Sequence, residues 1–377
     1  MAKASGTCDA RFEEVRRLLE KKVESGEEVG ASIAVNLDGK LVVDLWAGYM
    51  DRSRSVPWQR DTIVNVFSCT KTVVGLAFLM LVDRGLIDLD DKVSKYWPEF
   101  ACNGKEDILI RHVLSHTSGL AGFDDELVVE DLYDFDRCVA RLLSQAPWWK
   151  PGTASGYQVY TYGFILGELI RRVTGKTLKE FVADEISAPL EADFQIGAAE
   201  KDWDRVTDIV PPKSWPDFST QASESLMRKA FWNPPADSYF ANTAGWRNAE
   251  IGSSNGHGNA RSLVRILSAV ALGGEVDGKR LLSEKTIDLI GEEQSSGIDR
   301  VFRCPIRWGI GFALTPSVLQ PFLPKGRVYF WQGTGGSFVA IDLDRRMTVA
   351  YTMNKVADAM GPSDRAEAYG RAIYRAL

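Results

Sequence analysis

Ile63-Val-Asn-Val-Phe-Ser68-Cys-Thr-Lys71-Thr-Val-Val-Gly-Leu-Ala-Phe-Leu-Met-Leu-Val82 is the stretch on which the fold turns. An extended apolar run (Ile63, Val64, Val66) gives way here to a helix-forming one from Val73 to Val82, predicting a strand that feeds directly into a helix. The spacing of three places the Ser68 hydroxyl and the Lys71 amine on one helix face, about one turn apart. A serine hydroxyl is a poor nucleophile at neutral pH until a neighbouring base takes its proton. Lysine can be that base when burial keeps it neutral, and Leu76, Phe78, Leu79 and Met80 promise an apolar surround. Desolvation can bring a lysine down from about 10.4 by roughly 3 to 5 pKa units. Serine and lysine are common, so the motif needs partners elsewhere in the chain before it means catalysis.

Outward from this stretch the chain divides by style. On the N-terminal side a charged amphipathic helix is expected over Ala10–Glu24. Two β-rich runs, Ala31 to Leu37 and Lys40 to Trp46, then flank Asp38-Gly39, a strong hairpin signal. The C-terminal hundred residues repeat the pattern. Arg327–Trp331, Ser337–Asp342 and Met347–Asn354 read as antiparallel strands joined by turns such as Asp344-Arg345, and Ser363 or Asp364 caps a closing helix. Between them, residues 68–84, 108–116, 136–146, 160–174 and 259–272 look helical, with Gly175 suited to a C-cap. From about 200 to 250 the chain is rich in Pro and Trp (Trp203, Trp215, Trp232, Trp246), which forbids long regular elements. The expected fold class is mixed α/β: an antiparallel sheet built from both termini and flanked by helices, with a mostly α-helical inserted domain. The expected division is an α/β domain from residues 1–66 and 285–377 and a helical domain over 67–284, with Ser68 at the seam.

Composition excludes several function classes. The 377 residues are 45% hydrophobic and 25% charged, with a net charge of −6, so a sizeable core is available and no basic footprint for nucleic acid exists. No run of 18 apolar residues occurs, and Met1 to Gly6 lacks the apolar stretch of a secretory signal, so no membrane partner and a cytoplasmic location are expected. Nothing in the chain sets an oligomeric state. The five cysteines (Cys8, Cys69, Cys102, Cys138, Cys304) are scattered and odd in number, against a disulfide framework or a zinc site. Cys69 reads as a small packing residue, because no base stands at helical spacing from it.

Further along, Pro151-Gly-Thr precedes Tyr157 and an apolar helix that includes Tyr162, Phe164 and Leu166. Near the C-terminus the strand ending at Trp331 runs into Gln332-Gly333-Thr334-Gly335-Gly336-Ser337, a glycine-dense edge that lets a backbone N–H approach a ligand. With Leu114-Ser-His-Thr-Ser-Gly-Leu120 and Asn255-Gly-His-Gly258, these segments resemble, in order, the serine β-lactamase and penicillin-binding-protein superfamily. The similarity is closest to its esterase branch, the family VIII carboxylesterases, and spans nearly the whole chain.

The resemblance implies a β-lactamase/transpeptidase-like fold and assigns roles by position. Ser68 would be the acylated nucleophile, Lys71 and Tyr157 the proton-shuttling pair, and the backbone N–H groups of Ser68 and Thr334 the oxyanion hole. Trp331, Gln332 and Gly333 would meet the substrate. No metal and no cofactor are implied, and the expected partner is a small-molecule ester. Two departures bear on specificity. Val159 stands where β-lactamases usually carry asparagine, and Trp331 where they carry the lysine that meets the β-lactam carboxylate. Both remove polar recognition of an anionic amide, and tryptophan adds flat apolar surface. The expected activity is therefore a carboxylesterase on small or medium acyl esters. The rivals are an acyltransferase using the same acyl-enzyme, a weak β-lactamase, and a sensor that is acylated without turnover. Trp148, Trp149 and the four tryptophans between 203 and 246 are candidate pocket walls, set against plain core packing for at least half of them.

Three other features carry less. Gly252-Ser-Ser-Asn-Gly256 matches the G-x-S-x-G elbow, but the preceding residues are polar and the sole later histidine, His257, is too near for a triad. His116 is expected to be buried and bonded to backbone, whereas His257 is placed in a loop that could approach the site. Asp88 to Lys92 reads as a solvated loop with capping carboxylates.

Overall fold

The computed structural model describes residues 3–214, 217–358 and 363–377. Among these residues the largest sheet has nine strands, ordered Ser5–Cys8, Lys40–Gly48, Gly30–Leu37, Met347–Met353, Phe338–Asp342, Val328–Gln332, Ala313–Leu314, Pro305–Trp308 and Ser295–Ile298. Every neighbouring pair is antiparallel. The mixed α/β class and the sheet drawn from both chain ends are thus as the sequence indicates.

Local chemistry explains the joins. Asp38 and Gly39 both take positive φ (49° and 81°), as a two-residue hairpin turn of the primed kind requires, and Leu37 pairs with Lys40 across it. Pairing of Gly30–Leu37 with Met347–Met353 brings the two termini together in the middle of the sheet, where Ala31, Ile33, Val35, Val349 and Tyr351 are buried. One face is covered by the helices Glu13–Ser25 and Asp364–Arg375, which pack on each other. The helix Ala260–Ala271 packs on Gly30–Leu37 and Met347–Met353.

The helix Thr70–Asp83 has no polar face. Every residue from Thr70 to Leu81 is buried, as expected for an apolar helix wedged between layers. It packs against Thr161–Thr174, which ends at Gly175 in the left-handed conformation (φ 74°). The predicted helices are found at Ile110–Leu114, Phe135–Ser144, Thr161–Thr174 and Ala260–Ala271, the first of them only five residues long. Ser363 caps the last helix by accepting the Ala366 N–H. Between 200 and 250 the longest regular pieces among the described residues are Glu200–Arg205 and Leu226–Phe231, six residues each.

Two parts of the sheet differ from the sequence reading. The N-terminal segment does not run straight into its helix. Ser5–Cys8 forms an edge strand whose small, largely exposed side chains offer no alternation to read. The strands Ser295–Ile298, Pro305–Trp308 and Ala313–Leu314 extend the opposite edge, and each is too short or too polar to show a period.

Candidate active site

A second, three-stranded sheet sets up the nucleophile. Val64–Asn65 pairs with Gly256–Gly258, which pairs in turn with Phe194–Ile196. Immediately after Val66, Phe67 adopts φ 46°, a left-handed backbone that a bulky residue holds only when its surroundings enforce it. The enforcement is visible. Thr70 Oγ1 donates to the Phe67 carbonyl and accepts the Gly256 N–H at 2.9 Å, tying turn, helix and strand together. The turn delivers Ser68 to the head of the buried helix with its hydroxyl facing a cleft.

Ser68 Oγ lies 3.2 Å from Lys71 Nζ and 2.6 Å from the Tyr157 hydroxyl, which donates to it. Lys71 is 2% exposed. Its amine donates to two backbone carbonyls, Val159 O at 2.9 Å and Ser253 O at 3.0 Å, and no carboxylate is among its partners. Burial without a counter-charge pulls its pKa well below the ordinary amine range. Burial pushes the Tyr157 phenol upward, opposed by its hydrogen bonds to Ser68 and Trp331. The Lys71 amine sits 4.7 Å from the centre of the Tyr157 ring. Ser68 thus stands between the Lys71 amine and the Tyr157 phenol, and burial disfavours the charged form of both.

The segment Trp331 to Gly335 faces Ser68 across the cleft, and Ser68, Tyr157, Trp331, Gln332, Gly333 and Thr334 all line it. Gly333 is required by a close approach: a Cβ there would sit 2.4 Å from the Val66 carbonyl. Among the described residues neither the Ser68 N–H nor the Thr334 N–H has a backbone acceptor, leaving both free for a ligand. Trp331 does more than supply a flat wall, since its indole N–H donates to the Tyr157 hydroxyl at 3.3 Å.

The cleft is open to solvent, and the space between its walls and mouth amounts to about 790 Å³ with that solvent included. Of the tryptophans considered from sequence, Trp246 lines it, whereas Trp148, Trp149, Trp203 and Trp232 do not; Trp215 lies outside the described residues. Trp148, Trp149 and Trp203 instead donate their N–H groups to Asp124, Ala154 O and Ala198 O. Phe231 and Phe302, which the sequence reading did not single out, line the wall, with the Tyr157 and Phe302 ring centres 4.8 Å apart.

The histidines are structural. His116 is buried and its Nδ1 accepts the Gln158 N–H at 3.2 Å; burial pulls its pKa well below the ordinary imidazole value. His257 is not on a loop near the cleft. It lies on the strand Gly256–Gly258, fully buried and pushed down to about 4, and does not line the cleft. Cys69 is buried, and burial raises its thiol.

Two contributors carried no side-chain signal in the sequence. The rejected Gly252–Gly256 motif serves the site through its backbone, because the Ser253 carbonyl holds Lys71. Asp299, fully buried, accepts N–H groups from Tyr157 (3.1 Å), Val301 (3.0 Å), Phe302 (3.0 Å) and the Trp308 indole (3.3 Å). It thereby clamps the tyrosine segment to the loop bearing Phe302.

Residues 15–372 match the Beta-lactamase family. The chain is 32% identical over 377 residues to the esterase/beta-lactamase LipL of Mycobacterium tuberculosis, covering 96% of this chain and 85% of that protein. The crystal structure of a family VIII carboxylesterase superposes with a TM-score of 0.93 at 35% identity, covering 100% of both chains. A penicillin-binding-protein homologue from Caulobacter crescentus superposes at 0.92 and 36% identity, covering 99% of this chain and 100% of that one.

Proposed function

This chain belongs to the beta-lactamase family, and from that premise we propose that it is a serine carboxylesterase in which Ser68 is acylated with Lys71 and Tyr157 as the proton-shuttling pair. The observation that carries the reading is the position of Ser68 Oγ between a buried amine at 3.2 Å and a phenol at 2.6 Å, in an aromatic cleft.

The hydrogen-bond inventory supports the direction of proton flow. A neutral Lys71 spends its two N–H groups on Val159 O and Ser253 O, which turns its lone pair to the Ser68 hydroxyl. As Ser68 Oγ attacks the ester carbonyl carbon, its proton moves to Lys71 Nζ and the carbonyl oxygen becomes an oxyanion. The N–H groups of Ser68 and Thr334 receive that charge, an arrangement worth about 3 to 4 kcal/mol per donor. The new ammonium then has three acceptors around it, so both protonation states are satisfied without side-chain motion. Its charge favours loss of the Tyr157 proton to the departing alkoxide, and the Trp331 N–H stabilises the phenolate oxygen left behind. Proton return from Lys71 to Tyr157 resets the pair. Water repeats the sequence on the acyl-serine. Because one proton is shared, its titration belongs to the pair.

The substrates proposed are esters with small or medium acyl groups, which suit the rings of Phe231, Trp246, Phe302 and Trp331 along the cleft. Among the described residues no helix is long and apolar enough to cross a membrane. The testing experiment is labelling with a p-nitrophenyl alkylphosphonate followed by peptide mass mapping. A single adduct on Ser68 that abolishes ester turnover is expected; an adduct elsewhere would overturn the assignment.

A further inference from the structure

The loop that would supply the second oxyanion donor is made of the least self-determined backbone available, Gly333-Thr-Gly-Gly336, with Gly335 at φ 88° and Gly336 at φ 122°. Glycine resists no rotation, so such a loop holds a donor in place only if its surroundings fix it. Its internal bonds are the Gly333 N–H to Ser337 O (2.7 Å) and the Gly336 N–H to Gly333 O (3.2 Å). From the front, the Val66 carbonyl leaves no room beyond Gly333. From behind, the Gly335 carbonyl receives the Ala357 N–H at 3.1 Å and the Arg365 guanidinium at 3.2 Å.

Arg365 is itself over-determined. One nitrogen donates to Glu28 Oε2 (2.6 Å) and Glu27 O (3.2 Å), the other to Lys355 O (2.6 Å) and Gly335 O. Glu28 is fully buried, and its second oxygen accepts the hydroxyls of Tyr351 and Tyr369. A buried ion pair is poor value for stability alone, since desolvation offsets most of the attraction. The planar fork of the guanidinium reaches four acceptors from two fixed nitrogens, the carboxylate and the loop carbonyl among them, which the three donors of one ammonium atom do not match.

We infer that Arg365, anchored by Glu28, is a positioning residue that braces the Gly333–Gly336 loop and so fixes the Thr334 N–H opposite Ser68. The inference rests on the oxyanion role proposed for Thr334. Loss of the brace leaves the cleft and its aromatic walls in place and blurs only the donor that matters once charge develops, so it lowers kcat and spares KM.

The test compares Arg365→Lys, Arg365→Met and Glu28→Gln with the unaltered protein on a p-nitrophenyl ester. Rates are normalised to Ser68 titrated to completion by a p-nitrophenyl alkylphosphonate. Expected is a kcat per titrated site about 10- to 100-fold lower, with KM within about threefold. A purely structural role would reduce the titratable fraction and leave kcat per site untouched; that result overturns the inference. If Arg365→Met yields no titratable site, Arg365→Lys decides, because it keeps a cation opposite Glu28 while losing the fork. Failure of the phosphonate to label Ser68 in the unaltered protein would instead defeat the esterase reading.

Discussion

The Trp331 indole N–H donates to the Tyr157 hydroxyl oxygen at 3.3 Å, so the tryptophan bonds the very group proposed to carry the proton. Trp331→Phe keeps the ring and removes that donor. A hydrogen bond to a charged oxygen contributes about 1.5 to 3 kcal/mol, so kcat should fall about tenfold or more while KM changes little. Steady-state kinetics on p-nitrophenyl butyrate checks this, and an unchanged kcat would show that the phenolate needs no such partner.

Ser68, Lys71 and Tyr157 should fail unequally when substituted. Ser68→Ala should abolish turnover. Lys71→Ala and Tyr157→Phe should each lower kcat by roughly a thousandfold or more, since each removes a proton-transfer step that the other groups cannot replace. Near-normal turnover by the Ser68 variant would direct attention to Ser254, which lines the same cleft.

Acidity should act through Lys71. Burial lowers its pKa, so it is charged and inactive below that lowered value and neutral and active above it. The acid limb of kcat/KM should therefore fall well below the ordinary amine range. The raised phenol of Tyr157 keeps the plateau flat on the alkaline side. The same shift bears on stability. Between the folded and unfolded lysine pKa values the unfolded chain binds the extra proton, so stability rises with pH across that window. Lys71→Met should be inactive yet melt higher at neutral pH, with the gain shrinking as pH approaches 10. Calorimetry across pH tests the sign.

Charge selection should follow from the lining. Among the described residues bordering the cleft, Asp237 is the one carboxylate, and none is Lys or Arg. A neutral p-nitrophenyl butyrate should exceed the mono-p-nitrophenyl glutarate anion in kcat/KM by about tenfold or more, as an uncompensated anion is disfavoured at a low-dielectric site. Cephalosporins, which carry such a carboxylate, should be hydrolysed feebly. Efficient cleavage of either anion would show that Trp331 does not exclude it.

What could be read from the chain, and what could not, divides by the kind of contact. Ser68 and Lys71 are one helical turn apart, so their pairing is written in local spacing. Asp38-Gly39 and Gly175 announce their turns because the required φ values restrict residue choice. Tyr157 was reachable only by resemblance, since nothing near it in sequence indicates a nucleophile. The carbonyls of Val159 and Ser253 were invisible because every residue has one; which carbonyls converge on Lys71 is a property of the tertiary fold. Asp299 and Arg365 were missed for a related reason: each serves partners remote in the chain, Tyr157 and Gly335, and nothing in its local sequence points to them. Which of the candidate tryptophans would line the cleft was not readable, Trp246 doing so and Trp203 and Trp232 not, because a Pro-rich stretch gives no periodicity with which to orient side chains.

Gly333 touches the Val66 carbonyl with no side chain between them, so the reactive centre is a joint between segments far apart in sequence. Such a joint closes only when long-range pairing is complete. During refolding, hydrolysis should reappear last, after helical signal and compaction have recovered, and a chain cut between the two segments should regain it only by reassociating. Ester turnover is thus a gauge of finished assembly: a nascent or partly unravelled molecule is chemically inert.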